Sequence, residues 1–141
     1  CYGAVGVSRD AEVDSGNGSS LYAVTGHAPR HLDRNITLVG RVVDGMEHLT
    51  MLPRGSGDLG FYVEGEPMAE IDWIRVAADL APEDRPDLQV LRTDTATFAA
   101  LIEARRIRRE EWFLHPVGQL DLCTMPIPTR PMPKTAPTAS P

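Results

Sequence analysis

Residues 27–46, HAPRHLDRNITLVGRVVDGM, constrain this chain more than any other stretch. Asp33, Arg34 and Asn35 favour a turn. Directly after them Thr37, Leu38, Val39, Val42 and Val43 form a β-branched, apolar run around Gly40, which predicts a buried strand. Asp44 stands where an N-cap opens a short helix. Met46, Leu49 and Leu52 recur at helical spacing, and Pro53, Gly55 and Gly57 close the segment.

Two further strands precede this stretch. GAVGVS, residues 3–8, alternates small and apolar residues, and SLYAVT, residues 20–25, follows the polar loop 9–18. Downstream, the imperfect alternation of IDWIRVAADL predicts a strand between Glu70 and Leu80, and Leu88 to Leu91 reads as a short one. Asp94 then starts the clearest helix, with Phe98, Leu101, Ile102 and Ile107 on one face and Glu103, Arg105, Arg106 and Arg109 solvated.

Composition divides the chain in the same sense. Eleven of the twelve glycines lie at or before Gly65, and six of the twelve prolines at or after Pro126. The expected organisation is therefore a turn-rich body over residues 1–81, a strand and helix extension over 82–122, and a proline-rich tail over 123–141 that is extended or disordered. The apolar content of 42% suffices for a globular core.

Charge and hydropathy remove several functions. A net charge of -6 disfavours attraction to nucleic acid phosphates. No apolar run approaches the roughly 20 residues of a bilayer-crossing helix. Cys1 and Cys123 define no disulfide framework. Cys1 is read as an arbitrary break in mid-domain in preference to an acylated terminus.

Three segments in order carry a family resemblance. GAVGVS resembles the cyclophilin strand Gly-x-hydrophobic-Ser-Met-Ala, SSLYAVT its Ser-Gln-Phe-Phe-Ile strand, and LDRNITLVGRVVDGM its Leu-Asp-x-x-His-x-Val-Phe-Gly-x-Val-x-x-Gly-Met segment. The match covers about residues 3–52, and the third segment is the specific one. It implies a mainly β fold, part of a closed antiparallel barrel with a short helix, followed by an extension with an amphipathic helix. It also implies a peptidyl-prolyl cis-trans isomerase acting on proline-containing polypeptides, with no cofactor and no metal. Bacterial members are often exported, so a periplasmic location is one expectation and the cytoplasm the other.

The family's pocket transfers unevenly. Tyr22 falls on the phenylalanine floor of the proline pocket and Leu32 on its leucine wall, and both suit packing against a pyrrolidine ring. Ser8 stands at an alanine, Arg9 at the asparagine that binds substrate backbone, and Ser20 at a glutamine. His31 replaces a tryptophan and Ile36 the pocket histidine. No catalytic residue is assigned. The family's arginine belongs to an Arg-x-x-x-x-Phe-x-x-Gln pattern that this sequence lacks, and Arg9 matches a different position. The expectation is a C-terminal portion of an isomerase, inactive alone, with a non-catalytic peptide-binding module as the alternative.

The remaining motifs have bland readings. His27 and His31 have i, i+4 spacing, but Pro29 between them favours a surface loop over a metal site. Asn17-Gly18-Ser19 and Asn35-Ile36-Thr37 fit the glycosylation pattern and are read as turns. GNGSS lacks the ending of a phosphate loop. Arg105, Arg106, Arg108 and Arg109 suit either an acidic partner or a solvated helix end.

Overall fold

A computed structural model describes residues 1–115 and 117–132. The chain forms two compact units, Cys1–Ile74 and a second beginning at Arg75.

The first unit is built on a three-stranded antiparallel sheet in the order β2-β1-β3, with β1 at Ala4–Val7, β2 at Leu21–Ala23 and β3 at Leu38–Arg41. β1 is central, its backbone pairing with β2 on one side and β3 on the other. Val5, Gly6 and Val7 pair with Ala23, Tyr22 and Leu21, while Ala4, Val5 and Gly6 pair with Arg41, Gly40 and Leu38. The register with β3 slips between Val5 and Gly6, so Val39 bulges out of the ladder.

That bulge alters the central expectation for residues 37–43. Leu38 is 64% exposed and Val39 57%, so the run is an edge strand facing water instead of a buried one. β-branched residues favour the extended backbone, but burial needs a second layer on top of them. The helix α1, Met46–Thr50, buries only Met46, beside which Ala4 is the unit's other buried apolar side chain. Its N-cap is Gly45, at φ 77, not Asp44. There a left-handed backbone turns the chain, and the Gly45 carbonyl accepts from His48 N at 3.1 Å.

A turn-rich loop follows. Gly55 N donates to the Gly60 carbonyl and Gly57 N to the Phe61 carbonyl, both at 3.0 Å. Glu66 accepts from Ser56 N and Val63 N, and Arg54 Nη2 donates to the Leu59 carbonyl. The Glu70 to Leu80 segment forms no strand. Ile71, Ile74 and Val76 are 64% or more exposed, and Ala77–Asp79 is a 3₁₀ turn.

The second unit holds β4 (Leu88–Val90), α2 (Ala96–Arg106) and β5 (Thr129–Pro131). Thr95, not Asp94, caps α2, its hydroxyl accepting from Phe98 N at 3.3 Å; Asp94 instead takes the Arg92 guanidinium, with Nε to Oδ1 at 2.9 Å. Phe98 and Met125 are the buried apolar residues of this unit among those described. Part of the proline-rich tail is ordered. β5 pairs antiparallel with β4, Arg130 Nε donates to Gln89 Oε1 at 2.8 Å, and Pro131 sits on an edge, where its missing N–H breaks no ladder. The rest of the tail, residues 133–141, lies outside the described residues.

The expected closed barrel is therefore corrected. Strand makes up 13% and helix 24%, in two small separate sheets. Closure requires every strand to pair on both sides with a continuous stagger. Here β2 and β3 are edges, the ladders are three or four residues long, and the bulge interrupts one of them.

Candidate peptide-binding site

β1 and its continuation gather most of the expected pocket residues. Gly6 lies opposite Tyr22, and a Cβ built at Gly6 would run into the Tyr22 ring, so the ring lies directly over the glycine. A strand glycine under a cross-strand aromatic gives the ring a flat seat. Tyr22 is half-buried as a result. Two residues on, Ser8 N donates to the Ser20 carbonyl at 2.9 Å, which brings Ser8 and Ser20 to the same end of the sheet.

Arg9 ties that end to the turn before β3. Its Nε donates to the Asn35 carbonyl at 3.0 Å, and its Nη1 to the carbonyls of Asp10 at 2.7 Å and Ala11 at 3.3 Å. Asn35 in turn clamps the turn from inside, Nδ2 donating to the His31 carbonyl at 2.9 Å and its N–H to the Leu32 carbonyl at 3.0 Å. Arg30–Leu32 is a 3₁₀ turn, and Arg34 adopts φ 67 to reverse the chain. Leu32 and Ile36 are half-buried on this turn, while His31 and Ser20 are exposed. Val7 N reaches the Thr37 carbonyl at 3.0 Å, fixing Ile36 beside the end of β1.

Ser8, Arg9 and Ser20 thus lie at the C-terminal end of β1, the Arg9–Asn35 bond ties the turn that carries His31, Leu32 and Ile36 to that end, and Tyr22 is in register with Gly6 on the same strand pair. Such a surface offers an aromatic platform, half-buried aliphatic side chains and a strand edge, the groups needed to hold an extended peptide with an apolar ring. The Arg9 guanidinium is engaged with three backbone carbonyls, so it braces the loop.

Two residues of this arrangement escaped the sequence reading. Gly6 was one position in an alternating strand, and only its unusual place in a strand interior hinted at a close approach. Asn35 read as a turn former, and its clamp needed the fold to show. Both glycosylation-like triplets lie in turns, Asn17 Oδ1 accepting from Ser19 N at 3.0 Å and Asn35 holding its own loop. Among the described residues no three His, Cys, Asp or Glu side chains come together as metal ligands, and no helix is long and apolar enough to cross a membrane.

Comparison with protein-family models and with curated proteins finds no match for this chain.

Proposed function

We propose that this chain carries the proline-gripping surface of a peptidyl-prolyl cis-trans isomerase that assists protein folding. The observation that carries the reading is the Tyr22 ring seated over Gly6, beside the end of β1 where Ser8, Arg9 and the Leu32 turn meet. Rotation about an X-Pro bond crosses a barrier of roughly 18–20 kcal/mol because the amide loses its resonance midway. No covalent step, metal or cofactor is required. Holding the pyrrolidine ring in place while donors favour the twisted amide over the planar one lowers that barrier.

Tyr22 serves as the floor for the ring and Leu32 and Ile36 as its apolar walls, with Ser8, Ser20 and His31 at the polar rim. Arg9 is not assigned as the donor to the twisted amide, because its Nε and Nη1 brace the loop through the carbonyls of Asn35, Asp10 and Ala11. That engagement favours a second reading, a module that binds proline-containing peptides without turning them over.

One experiment separates the two. The 141-residue chain is titrated with succinyl-Ala-Ala-Pro-Phe-p-nitroanilide, and cis-to-trans exchange of the same peptide is followed with a protease that cleaves only the trans form. Saturable binding weakened about tenfold by Tyr22→Ala, with faster exchange, supports the isomerase. Binding with unchanged exchange leaves a non-catalytic gripping surface as the reading for this chain by itself, and absence of saturable binding refutes both.

A further inference from the structure

The last turn of α2 and the chain after it enclose a cavity of about 150 Å³ in the second unit. Arg105, Arg106, Arg108, Phe113 and His115 line it, and Asp121 is its one carboxylate among the described residues. Two of these charges are committed. Arg106 is spent, its Nε and Nη2 donating to the Glu103 carboxylate at 2.9 and 2.7 Å and its Nη1 to the Gly118 carbonyl at 2.9 Å. Asp121 Oδ1 accepts from Cys123 N at 2.8 Å.

Arg105 and Arg108 are different. Arg108 is held by a ring and not by a carboxylate, its guanidinium carbon 4.9 Å from the centroid of Phe113. Phe113 is braced edge-on by Trp112, with centroids 5.0 Å apart. Among the described residues Arg105 has no carboxylate partner. Of the nearby acids, Glu103 is taken by Arg106, and Glu110 makes no ion pair with Arg105 among the described residues.

A helix C-terminus attracts cations to its last carbonyls, which accounts for basic residues in the final turn. It does not account for Arg108 and His115, which come from the chain beyond the helix and line the same cavity. Two guanidinium groups beside an aromatic wall make a receptor for a small planar or tetrahedral oxyanion, which they bind through paired, charge-assisted hydrogen bonds. The volume suits an anion of a few atoms. An extended polyanion is disfavoured by the net charge of -6.

We propose that this cavity binds a phosphate-type oxyanion, either free or as the phosphorylated side chain of a peptide. The test is an NMR titration of the whole chain with inorganic phosphate at constant ionic strength. Amide shifts confined to residues 105–121 should saturate, with a Kd of about a millimolar. Arg105→Gln, which removes no hydrogen bond among the described residues, should raise that Kd about tenfold. Arg92→Gln removes the same charge at a site where the arginine pairs with Asp94, and should leave the Kd unchanged. A phosphoserine tripeptide titrated in parallel separates the two sources. Tighter binding than inorganic phosphate assigns the site to a phosphorylated side chain, and equal binding to the free anion. Shifts that never saturate, or a Kd that Arg105→Gln leaves where it was, overturn the proposal.

Discussion

Gly6 leaves the space that the Tyr22 ring fills, and the candidate site depends on that vacancy. Gly6→Ala places a methyl group inside the ring's position, so the ring must tilt or the strands separate. Overpacking of this kind costs about 1–3 kcal/mol, measurable by urea denaturation, and peptide affinity should fall with it. In Gly6→Ala/Tyr22→Ala the clash disappears, so the double variant should be less unstable than the sum of the single ones. Additive costs would show that the ring does not sit on the glycine. Tyr22 and Leu32 were singled out in the sequence as candidates by a resemblance alone. The partners that hold them, Gly6 beneath and Asn35 behind, were not. Their roles arise from cross-strand contact and from hydrogen bonds to carbonyls, which leave no periodicity in the chain.

At the scale of elements, capping and loop hydrogen bonds do work that burial does not. Thr95→Ala removes the hydroxyl that accepts from Phe98 N and should cost about 1 kcal/mol, seen as faster amide exchange in the first turn of α2. The 53–66 loop depends on Glu66. A Ser56 side-chain hydrogen bond, then the Val63 N–H, hold its carboxyl below the ordinary value of 4.5. A depressed folded-state value means that the unfolded chain takes up protons first as pH falls. The contribution to stability is therefore complete above pH 4.5 and is lost as pH drops through the lowered folded value. Exchange protection at Ser56 and Val63 should fall with acidification in that window, and Glu66→Gln should remove the pH dependence. The sequence marked this loop only as glycine-rich, since a carboxylate reaching back ten residues has no local signature. The strand expected between Glu70 and Leu80 failed for the complementary reason. An alternating pattern makes a strand possible, but a ladder needs a neighbour, and these residues have none in the sheet.

Across the molecule, burial is thin. Ala4 and Met46 in the first unit, Phe98 and Met125 in the second, are the buried apolar residues among those described. Truncating Phe98 to alanine should cost about 3–5 kcal/mol, a large share of the roughly 5–15 kcal/mol that holds an ordinary domain together. Loss of the α2 helical signal and a lowered Tm would register it, and an unchanged Tm would mean that Phe98 is not a core residue. The sequence by itself marked where the chain turns and most of the stretches that extend or coil. Glycine, proline and asparagine act on their own backbone, and periodicity acts over a few residues, so β1, β2, β3, α1 and α2 all fall within the segments that these patterns mark. Only the tertiary structure decided what those elements build. Pairing, register and closure depend on residues far apart in the chain, which is why the same strands that suggested a barrel form an open sheet of three. The Tyr22 seat on Gly6 and the Arg9 link to the Asn35 turn likewise exist only where distant segments meet.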